Sequence, residues 1–218
     1  MNDFPHVPAS ERAAIARLVA ADPDLARIEA AAGPLPWRRR ADGFPGLLQA
    51  IVGQMISNQA AAAIWGRLRA LPGALEPAGL LALDEADLRA AGLSRPKATH
   101  ARDLAEAFAD GRLSAARIAA MADEEAIAAI SAIRGMGRWS AEIYLLFALA
   151  RQDVFPAGDI AVAGAAAALK GLTARPDPAS LRALAEPWRP ARSLAARLLW
   201  HHWRYLTGRP AIDDLPAV

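Results

Sequence analysis

The sequence predicts an all-α protein. Alanine and leucine, both strong helix formers, dominate it. Strand-like alternation of apolar and polar residues is nearly absent. Cap and turn signals divide the chain into about ten helices.

The first helix runs from Ser10 to Ala21 and stops near Pro23; a short second one reaches Ala32 and is closed by Gly33-Pro34. Phe44, Leu47, Leu48, Ile51 and Val52 form a helical stripe over Phe44–Gly53. Ser57 is the expected N-cap of a helix to Leu71. Asp84 caps a short helix ended by Gly92, and Ser94 caps one through Phe108 with Gly111 beyond it. Helices over Asp123–Ile133 and Gly137–Ala150 flank a glycine turn. Asp159 opens a helix to Lys170 that Gly171 ends, and Asp177-Pro178 reads as an N-cap followed by proline at the first helical position. Pro190 begins the last long helix, which ends near Thr207-Gly208; the tail after Pro210 is expected to be loosely held.

The 218 residues suit one large domain or two small lobes. No uninterrupted apolar run reaches the ~18 residues of a membrane span, and MNDFPHVPASER lacks a basic-then-apolar leader pattern. The expectation is a soluble cytoplasmic protein, nucleoid-associated if bacterial. Cysteine is absent, which excludes disulfides, zinc–cysteine sites and cysteine-held iron–sulfur clusters. His6, His100, His201 and His202 show no metal-ligand spacing; neighbours on a helix point about 100° apart, so His201-His202 reads as structural or solvated. A net charge of +2 does not identify a partner. The arginine groups Arg38-Arg39-Arg40, Arg134 with Arg138, and Arg189 with Arg192 are more suggestive, although Arg38–Arg40 alone fits a solvated surface.

Residues 130–159 carry the chemistry. Gly135-Met136-Gly137 lets the chain reverse sharply between two helices. The helix beginning there offers amides and the positive end of its dipole to a phosphate, with Arg134 and Arg138 beside it. Such contacts hold a nucleic-acid backbone without reading sequence. Asp159 follows Trp139 by twenty residues. A carboxylate near C1′ of a sugar can stabilise the positive charge of glycosidic cleavage or orient the attacking water. Taken alone, Asp159 is equally an ordinary N-cap, as Asp84, Asp123 and Asp177 are read.

The longer pattern Ile130-x-x-Ile133-Arg134-Gly135-Met136-Gly137-Arg138-Trp139-Ser140-Ala141 resembles the helix-hairpin-helix of the HhH-GPD DNA glycosylase superfamily, and Val154-Phe155-Pro156-x-Gly158-Asp159 resembles its catalytic aspartate segment. Three further stretches are similar to it: Ile51-Val52-Gly53-Gln54-Met55-Ile56-Ser57-x-Gln59-Ala60-Ala61, Ala91-Gly92-Leu93-Ser94-x-x-Lys97-Ala98, and Trp188-Arg189-Pro190-x-Arg192-Ser193. The nearest likeness is to AlkA-type 3-methyladenine DNA glycosylases. It implies two helical lobes with a cleft between them. The roughly 40 residues before Phe44 read as helical, so the N-terminal β-rich domain of some AlkA-type enzymes is not expected here. The implied division is residues 1–42, packing with the C-terminal lobe; 43–155, holding the hairpin at 130–150; and 156–218, beginning at the aspartate.

The resemblance makes Asp159 the catalytic residue. Relatives that also cut the strand carry a lysine, which forms a Schiff base with the sugar, where this chain has Trp139; Lys97 and Lys170 do not match that position. A monofunctional enzyme follows. Trp139 and Trp200 match pocket tryptophans suited to an electron-poor base. Helical periodicity supports Trp200, which lies beside Arg197 and Arg204, off the face of Leu194, Leu198, Leu199, Trp203 and Leu206. Ile143 stands where some relatives have tyrosine, with Tyr144 next to it, so both are candidate pocket walls. Gly135, Met136, Gly137, Arg138, Ser140 and Arg134 are expected at the DNA backbone. Gln54, Met55 and Gln59 are expected at the gap left by a flipped base, with Met55 as the wedge; on an unbroken helix Met55 would instead fall in the core. No organic cofactor is implied. Carbonyls of Ser131, Ile133 and Met136 match those that hold a monovalent cation (Na+ or K+) in such hairpins.

The expected function is removal of alkylated or deaminated purines from damaged double-stranded DNA, by a monomer with no membrane partner. A mismatch or uracil-type glycosylase on the same scaffold and a non-catalytic DNA-damage binding module are the alternatives.

Overall fold

The computed structural model describes residues 7–208; His6 and the tail after Pro210 lie outside them. Among the described residues the chain is helical and has no strand. In chain order the helices are α1 (Ala9–Ala21), α2 (Ala26–Ala32), α3 (Gly43–Gly53), α4 (Asn58–Arg69), α5 (Pro77–Ala82), α6 (Glu85–Ala90), α7 (Arg95–Ala109), α8 (Ala115–Ala120), α9 (Asp123–Ser131), α10 (Arg138–Phe147), α11 (Ile160–Lys170), α12 (Pro178–Leu184) and α13 (Arg192–Thr207). Single 3₁₀ turns lie at Pro23–Leu25 and Glu186–Trp188.

Local chemistry explains most helix starts. The side chains of Ser57, Asp84, Ser94 and Asp177 accept amides of the first turns of α4, α6, α7 and α12, as their residue types predict. Asp123 departs from expectation. It is the first helical residue of α9, and the start is secured in reverse, by Glu125 accepting the Ala122 amide at 3.1 Å. Helices α5 and α8 are additional to the predicted ones; Pro77 and Ser114 are their start signals. Helix α10 ends at Phe147 rather than Ala150, which has φ 53.

The described residues form two compact units, one of 7–38 with 151–208 and one of 39–150. The division thus falls at 38/39 and 150/151, against 42/43 and 155/156 in the sequence reading. In the 39–150 unit, α3 packs on α7 and α10, α10 on α9, and α5 on α7. The predicted stripe of α3 is buried throughout, from Phe44 at 3% exposure to Ile51 at 0%. Each such side chain contributes roughly 1.5–3 kcal/mol. In the other unit, α13 packs on α11 and α2. Gly164 makes the first contact possible: a Cβ there would lie 2.4 Å from Trp203 Cζ3. Of the apolar face expected on α13, Leu194, Leu198 and Leu199 are buried, whereas Leu206, near the helix end, is exposed.

Candidate functional site

The hairpin connects α9 to α10 within the 39–150 unit. Gly135 has φ 82, and a Cβ on it would lie 2.1 Å from His100 Cγ on α7, so this turn demands glycine for both conformation and space. The Met136 amide donates to the Ile133 carbonyl at 3.0 Å. Gly137 is the N-cap of α10 and supplies no capping side chain, so the helix begins with exposed backbone at its positive end. Arg134 and Trp139 are exposed beside it.

Other expected contacts are committed elsewhere. Arg138 makes two hydrogen bonds to Glu124, at 2.6 and 2.9 Å, and one to Glu142 at 2.8 Å. These carboxylates, with the Glu124 bond leading, raise its pKa above the ordinary arginine value and compensate the positive charge expected at the backbone. Met136 and Ser140 are 3% exposed, which leaves the Met136 side chain in the core and the Ser140 hydroxyl accepting Gln54 Nε2 at 3.1 Å.

Tyr144 and Ile143, the two candidate pocket walls beside Trp139, are both buried. Tyr144 is 1% exposed; its hydroxyl donates to Asp42 Oδ1 and accepts the Gly43 amide at 2.9 Å, pinning α10 to the start of α3. Ile143 is 3% exposed and presents no open face. Trp139, at 38% exposure, remains an accessible aromatic surface.

The chain breaks after α3, at Gln54, so Met55 is not carried onto a buried helix face. Its side chain is fully exposed, at 101%, and its φ is 57. Ile56 and Gln59 are exposed on the same stretch. Gln54 is braced instead of exposed: its Nε2 also donates to the Gly135 carbonyl at 2.9 Å, joining the Met55 loop to the hairpin.

In the other unit, Asp159 is the N-cap of α11, with Oδ1 accepting the amides of Ala161 at 2.8 Å and Val162 at 2.9 Å. The segment leading to it is anchored by residues the sequence pattern flagged without explaining. Arg192 holds the Asp153 carboxylate and carbonyl, while the Ser193 hydroxyl accepts the Val154 amide at 2.9 Å and donates to its carbonyl at 2.8 Å. Phe155 packs edge-on against Trp188, with ring centroids 5.7 Å apart. The far end of α11 is fixed by Lys170, which bonds Asp22 at 2.5 Å and Asp24 at 2.9 Å; Trp188 Nε1 bonds the other Asp22 oxygen at 2.9 Å. Burial pulls the Lys170 pKa down, but these two carboxylates outweigh it and the net shift is upward. Asp159 therefore sits on a helix held at both ends.

Trp200 is half-buried on α13. One turn earlier, Arg197 is not a surface residue: it is 6% exposed, lies 4.4 Å over the Trp37 ring, and donates to the Arg38 carbonyl at 2.9 Å. His201 and His202 are buried, and burial lowers both pKa values. His201 Nε2 lies 2.9 Å from the Gly33 carbonyl, a structural bond that fits the neutral ring. Arg40 lies over the Phe147 ring at 5.3 Å, so that part of the arginine run is not purely solvated.

No cluster of three or more His, Cys, Asp or Glu capable of holding a metal occurs among the described residues. The Ser131 hydroxyl, on the hairpin with the three carbonyls matched to a cation site, is buried without a hydrogen-bond partner, which fits a bound cation there. No helix among the described residues is long and apolar enough to cross a membrane. The chemistry on offer is a backbone anion site with an exposed tryptophan and methionine in one unit, and a helix-capping carboxylate in the other.

Residues 48–190 match the family described as HhH-GPD superfamily base excision DNA repair protein. The chain is 29% identical to the alkylbase DNA glycosidase-like protein mag2 of Schizosaccharomyces pombe, over 72% of this chain and 76% of that protein. It is also 29% identical to DNA-3-methyladenine glycosylase 2 of Escherichia coli, over 81% of this chain and 64% of that one. Among solved structures it is similar to the 3-methyladenine DNA glycosylase of Schizosaccharomyces pombe in complex with abasic DNA, with a TM-score of 0.80, 26% identity, and coverage of 92% of this chain and 98% of that one.

Proposed function

The chain belongs to the HhH-GPD superfamily of base excision DNA repair proteins, and on that premise we propose that it is a monofunctional DNA N-glycosylase of the 3-methyladenine type. It removes alkylated or deaminated purines from duplex DNA, acts as a monomer in the cytoplasm, and leaves an abasic site. The observation that carries the reading is Asp159, held by two helix amides at the position of the family's aspartate segment.

The target base leaves the stack before its bond is broken. The C1′–N bond then cleaves with its electron pair going to the base, and positive charge develops on the sugar. The Asp159 carboxylate stabilises that charge and orients a water, whose oxygen bonds to C1′ and whose proton passes through the carboxylate to the departing base or solvent. Trp139 offers an aromatic face to the flipped base; a cationic alkylated purine gains cation–π attraction there. With tryptophan at the strand-cutting lysine position, the hairpin supplies no amine for a Schiff base. Hairpin backbone and the start of α10 take the phosphate, and Met55 fills the gap. Carbonyls of Ser131, Ile133 and Met136 would hold a monovalent cation that adds positive charge beside the phosphate.

A panel of duplexes carrying 3-methyladenine, 7-methylguanine, hypoxanthine, ethenoadenine and uracil, scored for abasic sites, tests the activity. Release of at least one alkylated or deaminated purine is expected; inertness toward the whole panel means a binding module instead, and release of uracil alone means a uracil-type enzyme. Borohydride trapping of a covalent enzyme–DNA adduct would overturn the monofunctional reading.

A further inference from the structure

Lys97, on α7, is bound to backbone carbonyls and forms none of the ion pairs found among the described residues. Its Nζ donates to the carbonyls of Val52 and Gln54, each at 2.7 Å. Val52 lies in the last turn of α3, where carbonyls have lost their intrahelical partners and the helix dipole is negative. An ammonium there makes two charge-assisted bonds. Burial lowers its pKa, as expected for a cation drawn partly out of water.

The second carbonyl is the informative one. The Gln54 carbonyl belongs to the peptide that joins residue 54 to Met55, so fixing its oxygen fixes the plane from which Met55 departs. Met55 then adopts φ 57, a conformation that costs an L residue about 1–3 kcal/mol unless its surroundings enforce it. The fully exposed Met55 side chain makes no packing that would enforce it. Enforcement comes from residue 54, held by Lys97 at its carbonyl and by the Gly135 carbonyl and the Ser140 hydroxyl at its side-chain amide.

We propose that Lys97 is a positioning residue for the wedge: by clamping the Val52 and Gln54 carbonyls it presets Met55 for insertion, and Gln54 carries that setting to the hairpin. The inference rests on the reading of Met55 as the wedge. A preset wedge avoids ordering the loop when DNA binds, so the gain appears only where a gap exists to fill. A lysine that merely touched phosphate would strengthen binding to every duplex alike. A lysine that merely capped α3 would alter stability without involving Met55.

Full-length protein is titrated with a duplex holding a tetrahydrofuran abasic analogue and with the undamaged duplex, for wild type, Lys97→Met, Met55→Ala and the double variant. Lys97→Met should reduce the preference for the abasic duplex about tenfold, equal to ~1.4 kcal/mol, with binding to undamaged duplex unchanged. In the Met55→Ala background the same substitution should have almost no effect, because the two residues act as one device. Equal losses on both duplexes, additive losses in the double variant, or no loss at all would each overturn the assignment. If Met55→Ala alone leaves the preference intact, the wedge reading falls and Lys97 with it; if Met55→Ala reduces it and Lys97→Met does not, only the Lys97 assignment falls. Should Lys97→Met fail to fold, Lys97→Gln, which retains a donor for one carbonyl, is put through the same cycle, with a smaller loss expected and the same outcomes decisive.

Discussion

Replacing Tyr144 with phenylalanine separates a structural tyrosine from a pocket tyrosine. The substitution keeps the ring, which is 1% exposed, and deletes the hydroxyl that donates to Asp42 Oδ1 and accepts the Gly43 amide. A hydrogen bond to a charged partner contributes ~1.5–3 kcal/mol. The Gly43 amide keeps Asp42 Oδ1 at 2.5 Å and is not orphaned, so the loss should fall in the lower half of that range, ~2 kcal/mol. For a chain of this length that lowers Tm by about 4–8 °C. The variant should retain its rate of base release in single-turnover assays below its melting range. There is also a signature at alkaline pH. Burial, then the bond to Asp42, raises the Tyr144 pKa, so above the unfolded value near 10 the folded state holds a proton that the unfolded state has lost. Stability from this source is full below pH ~10 and declines above it, and Tyr144→Phe should flatten that decline. A strong fall in base release with unchanged Tm would refute the reasoning and return Tyr144 to the pocket.

Gly135→Ala should cost several kcal/mol, on the order of 2–4, because the residue has φ 82 and its Cβ would meet His100 at 2.1 Å; thermal melts and anisotropy on undamaged duplex should show lower Tm and weaker binding. Adding His100→Ala should restore only part of the loss, since the backbone strain persists; full restoration would mean the clash alone mattered. Burial lowers the pKa of His201 and His202 in the folded state. Below the unfolded value near 6.5 the unfolded chain therefore binds protons that the folded chain refuses, and stability should be lost as pH falls, by up to ~1.4 kcal/mol per pH unit for each histidine. Urea titrations between pH 8 and 5 check this, and His201→Gln should flatten the profile; an unchanged profile would contradict it.

Much of this architecture is legible in local chemistry. Ser57, Asp84, Ser94 and Asp177 cap helices because an oxygen two or three bonds from the backbone suits a first-turn amide, and no distant residue is needed. The buried stripe of α3 is likewise a matter of spacing. What escaped the sequence depends on partners far along the chain. Tyr144 lies on a helix apolar nearly all round, and the partners of its hydroxyl, Asp42 and the Gly43 amide, are over a hundred residues away. Arg197 reads as a surface cation until Trp37 and the Arg38 carbonyl cover it. Lys97 is legible as part of a pattern, but its two carbonyl partners lie on α3 and the loop beyond it. Asp159 shows the limit from the other side: its capping bonds match those of Asp177, and what sets it apart is the family pattern around it.

Asp159→Asn tests the central claim most directly. The amide oxygen can still accept the Ala161 and Val162 amides, so the helix cap and the fold should survive while the carboxylate's charge is removed. Single-turnover base release from the best substrate of the lesion panel should fall by at least about 100-fold, with affinity for abasic-site duplex and Tm near the wild-type values. Near-normal release by a folded, DNA-binding Asp159→Asn protein would contradict the account.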